Sequence, residues 1–320
     1  MTAIDPIVFE PVFQERVWGG RMLEKLFAKR LPPATPIGES WEVVDRAEAQ
    51  SRVDGGRFAG CTLHDLWRDH REEVFGAEYA RHPAERFPLL IKLLDARQKL
   101  SVQVHPPSAA AGRLGGEPKT EMWHVLAADA GADIYAGLRN GVERGEFERA
   151  LENGGVAELL HRIPTSAGDT IFIPSGRVHA IGAGNVILEI QQNSDTTYRV
   201  FDWNRAGLDG NPRELHIEQS LQSIDFADHE PALQPARSGR LVADALFVVE
   251  RLELPPAGLH HAPGRFAIVF CLEGVVACGA RLCRPGEFLL LPSASELSLR
   301  PQAGAHATVV GHTVTNATAV

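Results

Sequence analysis

The chain has 320 residues, 44% hydrophobic and 23% charged, a composition that suits a folded globular protein with a sizeable core and excludes disordered and fibrous classes. A formal net charge of -9 excludes nucleic acid as a partner, because binding its backbone needs a basic surface that releases counterions. No segment has the length and apolarity of a membrane span, and Met1-Thr2-Ala3-Ile4-Asp5-Pro6 lacks the basic run and apolar stretch of a secretory signal, so a cytoplasmic location is expected.

In chain order, residues 8–13 read as a strand that Trp18-Gly19-Gly20 breaks before a short helix near 21–28. Gly38-Glu39-Ser40-Trp41-Glu42-Val43-Val44 alternates apolar and polar residues, which predicts a half-buried strand. Apolar residues recur at helical intervals over 62–85 and again over 144–160, predicting two helical excursions. Strands are expected at 89–94, 100–105 and 121–126, then at 169–173, 186–191 and 198–202. Short strands separated by Gly and Pro turns predict a mainly β fold of jelly-roll barrels with short helical insertions. The polar, proline-punctuated stretch around 228–235 reads as a linker, which divides the chain into a catalytic unit, 1–235, and a second β unit, 236–320, with strands at 266–270 and 287–291.

A weak repeat supports two related barrels. Gly168-Asp169-Thr170-Ile171-Phe172-Ile173-Pro174 and Gly286-Glu287-Phe288-Leu289-Leu290-Leu291-Pro292 share one pattern, but where His179 follows the first copy, Leu297 follows the second. A ligand-bearing site is therefore expected in the first barrel only.

Gln103 and His105, two apart in a strand, project from one face. Lys119 and Glu121 repeat that spacing beyond a loop rich in glycine, and Ile173-Pro174-Ser175-Gly176-Arg177-Val178-His179 carries a second histidine to the barrel mouth. Gln103, His105, Glu121 and His179 form a nitrogen and oxygen donor set with room for water or substrate, the arrangement of a catalytic zinc site. Gln103 either ligates or orients a neighbouring ligand through its amide. Isolated histidines such as His64, His161 and His312 read as surface or satisfied core residues. His260-His261 cannot be a metal pair, since adjacent strand residues face opposite ways. Cys61, Cys271, Cys278 and Cys283 show no zinc-site spacing and read as buried free thiols. Trp18, Trp41, Trp123 and Trp203 read as packing residues rather than a sugar platform, and Gly182-Ala183-Gly184-Asn185 as a hairpin turn. The acidic chain repels anions at long range, so any phosphate site must be a local cluster of cations.

At these residues the chain resembles the type I mannose-6-phosphate isomerases of the cupin superfamily, in their shorter bacterial form. The resemblance rests on Phe13-Gln14-Glu15-Arg16-Val17-Trp18-Gly19-Gly20, Gly38-Glu39-Ser40-Trp41-Glu42, Leu100-Ser101-Val102-Gln103-Val104-His105-Pro106 and Lys119-Thr120-Glu121-Met122-Trp123. Ile173-Pro174-Ser175-Gly176 with His179-Ala180, and Glu189-Ile190-Gln191-Gln192-Asn193-Ser194-Asp195-Thr196-Thr197-Tyr198-Arg199, follow in family order. It implies one zinc ion per chain on Gln103, His105, Glu121 and His179, with Arg199 as the catalytic arginine and Lys92, Lys119 and Glu189 as polar active-site groups. Arg205 stands where larger relatives carry a lysine, keeping the charge but not the geometry. The implied reaction interconverts mannose 6-phosphate and fructose 6-phosphate through an enediolate. Glu189 is the expected general base, with Lys119 or a zinc-bound water as alternatives, and Lys92, Lys119 and Arg205 are expected to meet the phosphate. Two rivals keep the same pocket: an Fe(II) cupin oxygenase and a non-catalytic sugar-binding cupin. No membrane partner is expected, and the chain reads as a monomer or weak homo-oligomer.

Overall fold

The computed structural model describes residues 4–302 and the backbone of 308–313. Met1–Ala3, 303–307 and 314–320, on which parts of the signal and second-unit readings fall, lie outside the described residues, as does the side chain of His312.

The fold is mainly β with short helices, and every strand pair within its sheets is antiparallel. A six-stranded sheet runs in the order Thr170–Ile173, Glu121–Ala128, Asn185–Gln192, Leu89–Ala96, Ile37–Val43, Val12–Gly20. A five-stranded sheet runs Tyr198–Phe201, Val102–Val104, His179–Ile181, Asp133–Leu138, Leu160–Pro164. Leu94, Trp123, Ile171 and Ile187 of the first sheet pack with Ile134, Ala136 and Ile181 of the second, and the candidate ligands enter this shared interior.

The outer face of the six-stranded sheet is also covered. Leu89, Ile91, Leu93, Leu188 and Ile190 join Leu63, Leu66, Trp67, Val74 and Phe75 of the first helical excursion in the largest core cluster. A strand buried on both faces needs apolar residues at nearly every position, which explains the run Leu89-Leu90-Ile91-Lys92-Leu93-Leu94. That excursion is built from helices Leu63–Asp69 and Arg71–Phe75, the first started by a reciprocal Thr62–Asp65 capping box.

The second unit has a five-stranded sheet of Gly239–Ala243, Val248–Glu253, Thr308–Thr313, Ala267–Glu273 and Phe288–Leu291, and a four-stranded sheet of Leu259–His261, Leu297–Pro301, Val276–Cys278 and Arg281–Cys283. Its Phe247, Val249, Phe266, Ile268, Phe270, Phe288 and Leu290 belong to the same large cluster as the helical excursion. Burial contributes roughly 1.5–3 kcal/mol for each such side chain, so these C-terminal strands share a common core with the helical excursion rather than hanging on a tether. The stretch read as a linker is itself bound to the first unit: Thr170 and Gln234 exchange backbone bonds, and Arg177 grips Asp228 through two 2.7 Å bonds.

Three local expectations change. The strand through Trp18 does not break at the glycines but continues to Gly20, because Gly19 lies against the neighbouring strand, where a Cβ would sit 2.4 Å from the Gly38 nitrogen. The Ile37–Val43 strand is buried throughout rather than half-buried, since its carboxylates find internal cations: Glu39 meets Arg16 at 3.0 Å and Glu42 meets Lys29 at 2.6 Å. Residues 182–185 are not a hairpin turn. They carry the chain from His179–Ile181 in one sheet to Asn185–Gln192 in the other, with Gly182 so close to Asp133 that a Cβ would lie 1.9 Å from its Oδ1. Among the described residues no helix is long and apolar enough to cross a membrane.

Candidate active site and metal centre

Strand register assembles the site. His179 and Arg199 stand opposite Gln103 on its two sides, so three adjacent strands present side chains in one row. Pro106 and Pro107 end the central strand just after His105, and the Gly176 amide donates to the His105 carbonyl at 2.9 Å. Glu121 opens its own strand in the facing sheet, between Ile173 and Gln191.

His105, Glu121 and His179 thereby converge with ligand atoms within 4.8 Å of one another, all fully buried. The Nε2 atoms of His105 and His179 each lie 3.5 Å from a different Glu121 oxygen. Each imidazole turns its Nδ1 to a backbone carbonyl, His105 to Thr196 at 2.8 Å and His179 to Arg177 at 2.9 Å. With Nδ1 donating, the Nε2 lone pair points inward, the tautomer a metal ligand needs. Burial and the Lys119 charge push His105 down to about 3, and burial lowers His179, so both rings are neutral.

Glu121 is the decisive residue for a metal. Both of its oxygens are buried without a well-formed hydrogen bond, and the one cation beside them, Lys119, stands 3.1 Å from Oε2, which leaves Oε1 facing only the His179 Nε2 and open to a further cation. Burial raises its pKa, but the Lys119 charge outweighs this and holds it well below the usual range. The donor set fits a divalent ion. Gln103 sits with its amide nitrogen 3.2 Å from His179 Nε2, and a half-turn of that amide presents Oε1 instead.

Lys119 Nζ lies 3.1 Å from Glu121 and 3.4 Å from His105. Burial alone would lower its pKa, yet Glu121, Glu189 and Asp195 raise it above the ordinary lysine range. Gln103 and Lys119 line a cavity of about 570 Å3, behind which the three ligands lie. Lys92, Glu189, Trp18, Arg199 and Arg213 also face it. Glu189 is fixed by Lys92 at 3.2 Å and by the Trp123 indole N–H at 3.1 Å. Burial and the nearby Glu121 raise its pKa, with Lys92 and Lys119 opposing.

The structure brings together Gln103, His105, Glu121, His179, Lys119, Lys92, Glu189 and Arg199. It does not bring Arg205 to the cavity wall. That guanidinium is turned away onto the Lys99 carbonyl and onto Asp202 at 2.7 Å, so its expected contact with a phosphate is not supported by its placement. Trp41 and Trp123 are buried donors to Glu39 and Glu189, whereas Trp18 does face the cavity. His260 is exposed and His261 points to the Pro292 carbonyl, and no second metal cluster occurs among the described residues.

Sequence reasoning missed Glu39, which bonds Trp41 at 2.6 Å and Arg16 at 3.0 Å and lies 3.8 Å from Lys92. Burial would raise Glu39, but Lys92, Arg16 and Trp41 bring it down to about 2. A folded-state value below the unfolded 4.5 gives stability that is complete above about pH 4.5 and is lost as pH falls toward 2, on the order of 3 kcal/mol. Glu39→Gln should therefore flatten the acid limb of a urea-denaturation series between pH 5 and 3, on a scale of about two pH units. An unchanged limb would show that Glu39 is not so held.

Comparison with known proteins agrees with this geometry. Residues 7–125 match the family model described as "Phosphomannose isomerase type I, catalytic domain". The chain is 37% identical over 300 residues to the mannose-6-phosphate isomerase of Streptococcus mutans, covering 90% of this chain and 93% of that one. Among solved structures, the mannose 6-phosphate isomerase from Bacillus subtilis aligns with a TM-score of 0.85 and 30% identity over 97% of this chain and all of that one. A mannose 6-phosphate isomerase bound with zinc and yttrium shares the fold at a TM-score of 0.74 and 18% identity, covering 98% of this chain and 100% of that one. The extent of these matches establishes that the chain belongs to the type I phosphomannose isomerases.

Proposed function

We propose that this chain interconverts mannose 6-phosphate and fructose 6-phosphate, with one zinc ion held by Gln103, His105, Glu121 and His179. The observation that carries the reading is the buried Glu121 carboxylate, paired with Lys119 at one oxygen only and facing two inward imidazole Nε2 atoms, one 3.5 Å from each oxygen. Zinc bound there supplies a Lewis acid for the substrate's hydroxy-carbonyl oxygens. The family membership and the names of the relatives support the same substrate pair.

Moving a carbonyl between C1 and C2 requires a proton to leave one carbon and return to its neighbour. Glu189 is the proposed base: a buried carboxylate on the cavity wall, held rigid by Lys92 and Trp123. Arg199, whose Nη1 donates to the Glu214 carbonyl at 2.8 Å, offers a permanent positive charge to the developing enediolate. Lys119 and Lys92 complete the polar lining. Residues 1–235 form the catalytic unit in this reading, and residues 236–320 brace it through the common core.

Turnover of mannose 6-phosphate by the purified protein, assayed with zinc and separately with Fe(II) under air, tests the proposal. Oxygen uptake without isomerisation would favour an oxygenase, and sugar binding without turnover a non-catalytic cupin.

The segment after residue 224 has a part in this centre. Asp228 grips Arg177, whose carbonyl accepts the Nδ1 proton of His179. Loss of such a supporting contact typically weakens metal binding by roughly 10- to 100-fold. Asp228→Ala, which frees the Arg177 side chain, should do so in a chromophoric-chelator competition, and an unchanged zinc affinity would remove the Asp228 clamp from the supporting role.

A further inference from the structure

Beyond the strand Tyr198–Phe201 the chain makes a small loop and returns at His216, whose backbone N–H donates to the Arg199 carbonyl at 2.8 Å. Two consecutive non-glycine residues, Trp203 and Asn204, hold left-handed backbone angles near +55° at its start, a conformation kept only when surrounding contacts enforce it. The enforcing contacts converge on Asp202. Its carboxylate accepts from Arg205 Nη2 at 2.7 Å, from Arg213 Nε at 2.7 Å and from Arg213 Nη2 at 2.6 Å. The two arginines differ in where they face: Arg213 lines the cavity and Arg205 does not.

The charge count around this loop is uneven. Arg199, Arg205 and Arg213 are near enough that burial and the other two charges all draw Arg199 below its usual range. Asp202 is the only carboxylate bonded to any of them, among the described residues. Glu214 lends Arg199 its carbonyl rather than its side chain, and Asp209 at the loop tip is taken up by Asn211. Of the three cations, Arg199 and Arg213 line the cavity, together with Asp195 and with Asp209, which Asn211 occupies; in a chain of net charge -9 two guanidiniums there, only one of them paired with a carboxylate, make a local anion site. The side chain of Arg213 is 23% exposed, whereas those of Lys92 and Lys119 are 4% and 5% exposed, so Arg213 stands at the outer end of the cavity, away from the buried metal ligands. With Nε and Nη2 fixed on Asp202, its Nη1 edge has no protein acceptor among the described residues.

We propose that Arg213, clamped by Asp202, is the residue that binds the phosphate monoester of the substrate, and that Arg205 acts only through Asp202 as a positioning residue. The inference rests on the reading of the substrate as a sugar phosphate. Its chemistry is that of a planar guanidinium held at one edge by a carboxylate and offering the other to a dianion, an arrangement that a lysine ammonium cannot reproduce.

Steady-state kinetics on mannose 6-phosphate should show Arg213→Ala raising KM by roughly 10- to 100-fold with kcat changed only a few-fold, since a charge-assisted pair is lost from ground and transition states alike. Arg213→Lys should recover part of that loss. Asp202→Asn should also raise KM, and combining it with Arg213→Ala should add little, because both remove one contact. Arg205→Ala should raise KM less than Arg213→Ala does. An unchanged KM in Arg213→Ala, a larger effect at Arg205, or additive effects of the Asp202 and Arg213 changes would each overturn the assignment. Calorimetry with inorganic phosphate probes the same anion site without turnover, so failure of the isomerase reading is distinguishable. Phosphate binding by the wild type that disappears in Arg213→Ala supports the assignment; no binding, or binding that survives the change, overturns it. Thermal denaturation of each variant checks that the fold is kept.

Discussion

The Glu121→Gln variant should lose its zinc and about a thousandfold in kcat/KM, a drop equivalent to roughly 4 kcal/mol of transition-state stabilisation. Glutamine matches the shape but brings no charge, so two neutral imidazoles and two amides would remain to hold a divalent ion. The same change strips Lys119 of the carboxylate 3.1 Å away in a fully buried setting. Breaking a buried pair from one side costs on the order of 3–5 kcal/mol, so the metal-free variant should also unfold at lower urea than the metal-free wild type. The two effects separate by experiment. Chelating the wild type should abolish activity reversibly, with zinc restoring it, whereas zinc should not rescue Glu121→Gln. A variant that kept one equivalent of zinc and near-normal turnover would disconnect this carboxylate from the metal, and the proposed centre with it.

The convergence of Gln103 and His105 on one wall is legible because strand geometry makes it so. Gln103 and His105 are two residues apart, and a period of two places both on one face whatever sheet the strand joins. The mainly β class follows from the same short, Gly- and Pro-bounded runs. Other features have no comparable signal. The strand Asp133–Leu138 begins on an acidic residue and contains a glycine, and it is buried only because neighbouring strands cover it. Glu39 and Glu42, three apart, point to opposite faces of their strand and both are buried, a cost met by cations, Arg16 and Lys29, that come from elsewhere in the chain. The linker looks like a tether by composition, and only the register of Thr170 with Gln234 and the grip on Asp228 reveal that it is packed. Arg205 and Arg213 are both arginines in one polar loop. Which of them faces the cavity depends on a carboxylate, Asp202, that both share.

Glu189→Gln should leave KM for mannose 6-phosphate within a few-fold of wild type while lowering kcat by roughly 100- to 10,000-fold, the range for loss of a positioned general base. The substitution is nearly isosteric. An amide oxygen can still accept the Trp123 indole proton now held at 3.1 Å, so the cavity wall keeps its shape. What disappears is the capacity to take a proton, and with it the negative partner of Lys92 at 3.2 Å. A general structural disturbance would raise KM and lower the melting temperature together, whereas loss of the base acts on the proton-transfer step alone. The direct readout is exchange of the substrate C2 proton with solvent deuterium, because exchange requires the proton to leave carbon but not to arrive at the neighbouring one. If Glu189 is the base, exchange and isomerisation should fall by the same factor. The rival base, Lys119, is paired with Glu121 and held in its charged form by that carboxylate together with Glu189 and Asp195, a state suited to donating a proton or steadying an oxyanion rather than abstracting from carbon. Near-normal C2 exchange in Glu189→Gln would nevertheless transfer the role away from Glu189. Glu189 would then serve to keep Lys92 in place, and a matching loss in Lys92→Met would reveal that.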